Sequence, residues 1–136
     1  MRVVLDTNVL VAAFIARGVC ADVFERVIVD HELVLSPHIV NEFEHAMVEK
    51  LQFDASRVER SIALLRRIGR MVDPPPLAER ICRDQDDDAI LVVARSSGAS
   101  CLVTGDDDLL ILKTFENIPI ITPRAFLTFE PPLDTD

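Results

Sequence analysis

Short runs of β-branched and aliphatic residues alternate along this chain with longer segments whose apolar positions recur every three or four residues. Arg2-Val-Val-Leu-Asp6 is a run of the first kind and reads as a buried strand. Thr7 and Asn8 can cap the helix that follows, Val9 to Ile15, which ends before Gly18. Val23, Phe24, Val27 and Ile28 set the spacing of a second helix over Ala21 to Asp30, and Leu33-Val-Leu35 is a second strand. Ser36-Pro37 supplies an N-cap and a proline at the first helical position, opening a helix expected to reach about Leu51. Val58, Ile62, Leu65 and Ile68 share one face of a helix from Asp54 to Gly69, with a third strand over Arg70 to Asp73.

The second half repeats the alternation. Pro74-Pro75-Pro76 is a stiff connector. Ala89-Ile-Leu-Val-Val-Ala94 has a strand's composition. The acids before it suit a helix N-terminus and Ser96-Ser97-Gly98 suits a helix end, so the segment is read as a buried helix. Ser100 to Thr104 is a fourth strand, Asp107 to Lys113 a short helix, Ile118 to Thr122 a fifth strand and Pro123 to Phe129 a closing helix. This order implies an α/β fold, a three-layer α/β/α sandwich around a central parallel sheet. Residues 1–129 are expected to form one domain and 130–136, with two prolines, a frayed, flexible tail.

Composition narrows the possibilities. The apolar stretch from Val9 to Ala16 is well short of the ~20 residues that span a bilayer, and it follows Asp6 rather than a basic segment, so no membrane is expected. Three cysteines (Cys20, Cys82 and Cys101), with no C-x-x-C pair, argue for a reducing compartment, and a cytoplasmic location is the expectation. A formal net charge of −9 excludes a generic basic nucleic-acid coat. The acids are clustered: Asp84, Asp86, Asp87 and Asp88 in one knot, Asp106, Asp107 and Asp108 in another.

Right-handed crossovers would bring every strand's carboxyl end to one sheet edge, where α/β folds bind ligands. Asp6 ends the first strand, Glu42 lies in the helix after the second, Asp88 opens the helix before the fourth, and Asp106 follows that strand. Four carboxylates gathered there repel one another. Two unit charges 4 Å apart cost ~4 kcal/mol at an effective dielectric of ~20. Protonation or a divalent cation relieves that repulsion, and oxygen-only donors suit Mg²⁺ or Mn²⁺.

The segments Val3-Val-Leu-Asp6-Thr-Asn8-Val-Leu10, Leu35-Ser-Pro-His-Ile-Val-Asn-Glu42, Arg83-Asp-Gln-Asp-Asp-Asp88 with its apolar continuation, and Leu102-Val-Thr104-Gly-Asp106-Asp-Asp108 occur in that order. Together they resemble the PIN-domain family, and most of all its toxin components of bacterial and archaeal toxin–antitoxin systems. The resemblance implies a Mg²⁺- or Mn²⁺-dependent endoribonuclease acting on single-stranded RNA and leaving 5′-phosphate and 3′-hydroxyl ends. It also implies homodimerisation and a small antitoxin protein as partner. Carried over by motif, Asp6, Glu42, Asp88 and Asp106 would be the catalytic, metal-holding acids, with Asp86 and Asp87 as alternatives to Asp88, and Asp108 a further metal acid acting through water. Thr7, Asn8 and Thr104 would orient ligands or the substrate phosphate.

Other readings of these residues lead elsewhere. His38, Glu42 and His45 at i, i+4 and i+7 have the spacing of a transition-metal site, but H-E-x-x-H is absent and Glu42 is already wanted by the carboxylates. A phosphoaspartyl phosphatase would need an aspartate where Asn8 stands, and a phosphoreceiver an acidic pair around the first strand. Arg57, Arg60 and Arg67, with Arg66 and Arg70, form the one basic concentration, either a phosphate-gripping rim for the RNA or a solvated helix face. With no Trp or Tyr, a base-stacking platform is not in view. The alternative from another class is a non-catalytic PIN-fold module binding RNA or protein.

Overall fold

A computed structural model describes residues 1–129; the tail expected at 130–136 lies outside the described residues. Its elements are β1 (Arg2–Leu5), α1 (Thr7–Ile15), α2 (Val19–Asp30), β2 (Glu32–Leu35), α3 (Pro37–His45), a π-helical turn (Ala46–Lys50), α4 (Ala55–Ile68), β3 (Gly69–Met71), α5 (Gln85–Ser97), β4 (Cys101–Val103), α6 (Asp107–Leu110), β5 (Thr114–Phe115), β6 (Ile118–Ile121) and α7 (Pro123–Phe126). The sheet has six strands in the order β3-β2-β1-β4-β6-β5. β1 through β4 and β6 pair in parallel.

β1, β2 and β4 read as unbroken apolar runs because helices cover both faces of the sheet. Val3, Val4, Leu5, Leu33, Val34, Leu35, Cys101, Leu102 and Val103 are almost completely buried. The chain steps from β1 to β2 to β3 in one direction, then jumps back to β4 on the other side of β1. Right-handed connections therefore put α1 through α4 on one face and α5 and α6 on the other. The order reverses between β1 and β4, which is where such a sheet opens a crevice at its carboxyl edge.

The expected parallel sheet gains an antiparallel edge. β5, two residues long, pairs with β6 through a hairpin whose central residues, Glu116 and Asn117, both have positive φ (48° and 70°). Two positive-φ residues make the mirror-image turn that matches strand twist. Glu at the first of them is an unusual choice, which is why the hairpin is hard to see in the sequence and the helix expected to reach Lys113 stops at Leu110. The helix expected from Pro37 to Leu51 is α-helical only to His45, then widens into the π-turn, where the Leu51 N–H reaches back to the Ala46 carbonyl.

Candidate functional site

Parallel pairing of β1 with β4, Leu5 opposite Val103, sets Asp6 and Thr104 side by side just beyond the strand ends. The Asp6 N–H donates to the Val103 carbonyl, continuing the ladder by one bond. Asp6 then serves as N-cap of α1, its Oδ1 accepting from the Thr7 N–H at 2.7 Å. Oδ2 accepts from the Thr104 hydroxyl at 2.7 Å and from Asn8 Nδ2 at 3.4 Å. Thr104 is fully buried, and its oxygen also accepts from the Asp106 N–H at 3.0 Å, so one hydroxyl ties the two aspartates together. Asn8 Oδ1 accepts from the Gly105 N–H at 3.3 Å, stapling α1 to the same loop. On the other side the Thr7 hydroxyl donates to Glu42 Oε1 at 3.1 Å, linking α1 to α3.

Asp6, Thr7, Asn8, Glu42 and Asp106 line an open cleft of about 900 Å³ whose walls also include Asp84, Asp86 and Asp87, together with His38, His45 and Lys50, while Thr104 lies buried behind it. Asp106 caps α6, its Oδ1 accepting from the Asp108 N–H. Asp108 lies close enough to Asp87 and Asp106 for all three to offer oxygens within 4.8 Å of one another, but it also holds Arg83 at 3.0 Å.

The acidic knot resolves by helix geometry. Asp86, Asp87 and Asp88 are consecutive in the first turn of α5, and consecutive helical positions point about 100° apart. Asp87 turns into the cleft beside Asp106, and Asp86 faces His38 and Glu42. Asp88 turns the other way. Its oxygens accept from the Ile81 and Cys82 N–H groups at 3.1 and 2.8 Å, pinning the loop that precedes the helix. Asp88, the carboxylate favoured from motif spacing, is thus absent from the cleft lining, and Asp87 occupies the place assigned to it. Arg57, Arg60 and Arg67 are exposed on α4 and do not line the cleft either. The cationic side chain that does, Lys50, arrives on the π-turn, a deviation no apolar periodicity would reveal.

The electrostatics are those of crowded, half-dry carboxylates. Burial raises the Asp6 pKa above the usual carboxylate value, and the Thr104 and Thr7 hydrogen bonds offset part of that. Glu42 is raised by burial, with His38 working the other way and Asp86 adding to the rise. Asp87, 6% exposed, is pushed up to about 7, first by burial and then by its hydrogen bond to Asp106 and that residue's charge. Without a cation the cluster therefore keeps a proton near neutrality. Asp6, Asp87 and Asp106 bring only oxygen donors to the cleft, the kind that hard dications take.

A family model described as PIN domain matches residues 2–108. The chain is 30% identical over 145 aligned residues to an uncharacterized protein of Methanocaldococcus jannaschii, covering 93% of this chain and 90% of that protein. Two solved structures share its fold. VapBC2 from Rickettsia felis, bound to a DNA fragment from its promoter, matches with a TM-score of 0.63 at 16% identity over 90% of this chain and 98% of that one. VapC20 from Mycobacterium tuberculosis, a sarcin–ricin-loop-cleaving toxin, matches with a TM-score of 0.59 at 16% identity over 86% and 98%.

Proposed function

The chain belongs to the PIN-domain family, and from that membership and its acidic cleft we propose that it is a Mg²⁺- or Mn²⁺-dependent endoribonuclease hydrolysing single-stranded RNA, the toxin of a toxin–antitoxin pair. The observation that carries this is the convergence of Asp6, Glu42, Asp87 and Asp106 on one cleft at the point where strand order reverses.

In this reading Asp6, Asp87 and Asp106 hold the cation, with Asp108 supporting them. A bound Mg²⁺ or Mn²⁺ supplies Lewis-acid activation of water and neutralises charge on the phosphodiester. The Thr104 hydroxyl and the Thr7 N–H fix Asp6 in orientation by donating to its two oxygens, and offset part of the effect of its burial. Thr7 also fixes Glu42, and Asn8 holds the loop carrying Asp106 against α1. Asp87, crowded against Asp106 and raised to about 7 without a cation, would give up its proton when a cation binds. Lys50 is the cleft's cationic contact for an RNA phosphate.

VapC20 is described as a toxin, and a small antitoxin partner is proposed here on the likeness to it and to VapBC2. Homodimerisation and a cytoplasmic location belong to the same proposal. Among the described residues, no single helix is long and apolar enough to cross a membrane.

The test is cleavage of a labelled single-stranded RNA by purified protein with Mn²⁺, beside EDTA-treated protein and Asp6→Asn. Cleavage that both controls abolish supports the nuclease. Equal cleavage by wild type and Asp6→Asn, or none by wild type on varied RNAs, sinks it; the second outcome favours a non-catalytic binding module.

A further inference from the structure

Beside the all-oxygen pocket, we propose that His38, Glu42 and Asp86 form a second cation site, one that prefers a transition-metal dication such as Zn²⁺ to Mg²⁺. It deepens the nuclease reading and rests on it only through Glu42, which borders both sites. His38 and Glu42 stand one turn apart on α3 and so share a face. The first turn of α5 brings Asp86 up to them across the cleft. His38 Nε2 lies 3.1 Å from Glu42 Oε1 and 3.4 Å from Asp86 Oδ1. Donor atoms from all three fall within 4.8 Å of one another.

Two features separate this cluster from an ordinary ion pair. Nε2 is a buried atom that makes no hydrogen bond, although a carboxylate oxygen of Glu42 and one of Asp86 lie within 3.4 Å of it. A buried ring nitrogen beside two oxygens but bonded to neither is free to donate a lone pair to a cation held by all three. The spacing also fits: bonds of about 2.0–2.1 Å in a tetrahedral site put ligand atoms about 3.3 Å apart. Imidazole nitrogen suits Zn²⁺ and its neighbours, whereas Mg²⁺ takes oxygen. The Thr7 hydroxyl holds Glu42 Oε1 at 3.1 Å, the outer-shell support such ligands usually have. Three protein donors leave a fourth position for water or a phosphate oxygen.

The experiment is a titration of ZnCl₂ into the intact chain, followed by ring ¹⁵N–¹H correlations of its three histidines, His31, His38 and His45, with calorimetry alongside. Zn²⁺ should shift the Nε2 resonance of His38. His38→Gln should weaken Zn²⁺ binding by more than the roughly 10- to 100-fold that losing an outer-shell partner costs, with Asp86→Asn weakening it too. Asp106→Asn, which leaves these three residues intact, should retain it. An unmoved His38 resonance at saturating Zn²⁺, or folded His38→Gln and Asp86→Asn proteins that bind as wild type does, overturns the site. RNA cleavage is read separately: a chain that takes up Zn²⁺ at His38 but cuts no RNA fails the nuclease reading and keeps this one. A chain that cuts RNA while His38 stays silent does the reverse.

Discussion

Asp87 and Asp88 are chemically identical neighbours with opposite tasks. Asp87 is a crowded carboxylate against Asp106, whereas Asp88 accepts two backbone N–H groups and holds a loop. Replacing Asp87 by Asn removes a charged cation donor, so RNA cleavage should fall by more than the roughly 10- to 100-fold that losing even an outer-shell partner costs. The folded chain should be no less stable, since a source of repulsion has gone. Asp88→Asn turns an amide against one of two backbone donors and should cost about 1–3 kcal/mol of stability, read by urea unfolding, while the cleft keeps its cation donors. The reverse pattern would show that motif spacing outranks side-chain direction here. Asp6 could be found in the sequence because it stands alone at a strand end, and Glu42 and Asp106 because each falls in a motif of the family resemblance. Asp87 could not be separated from its neighbours, because the choice depends on where α5 begins. With the start at Gln85 rather than near Ala89, the acids are inside the helix and its rotation decides among them.

At the level of elements, apolar periodicity located the parallel strands and the helices between them, since burial on both faces leaves long unbroken apolar runs. It was silent where local backbone geometry decides. The π-turn after α3 keeps its apolar contacts through Met47, so nothing in the pattern marks the wider winding that carries Lys50 to the cleft. The β5–β6 hairpin depends on two positive-φ residues without glycine. Packing between elements is tight where α4 enters β3. A Cβ on Gly69 would lie 2.6 Å from Leu35 Cδ1 and 3.0 Å from the Leu65 carbonyl oxygen. Gly69→Ala should therefore destabilise the chain by about 1–3 kcal/mol, as overpacking does, and lower the thermal midpoint. An unchanged midpoint would mean that Leu35 yields without cost.

For the whole molecule, a net charge of −9 and a cleft rich in carboxylates mean that RNA binding depends on cations. The same crowding sets the pH response of the metal-free protein. Asp87 holds its proton up to about pH 7 when folded, but an unfolded aspartate loses it near 3.9. Between those values the folded chain binds more protons, so stability from this group is greatest at the acidic end and declines as pH rises toward 7. Asp6 and Glu42, also raised, act in the same sense. In EDTA the thermal midpoint should rise as pH is lowered from 7.5 to 5.5, and added Mn²⁺ should raise it more at pH 7.5 than at 5.5. A midpoint that climbs with pH in EDTA would show that the carboxylates do not interact as their positions imply.

Calorimetric titration of Mn²⁺ into the intact chain at pH 7, in two buffers of different ionisation enthalpy, tests most directly whether these acids form a cation site. Saturable binding that releases protons to the buffer, and that is lost in Asp87→Asn but kept in Asp88→Asn, is the expected result. Absence of saturable binding, or equal binding by wild type and Asp87→Asn, would contradict it.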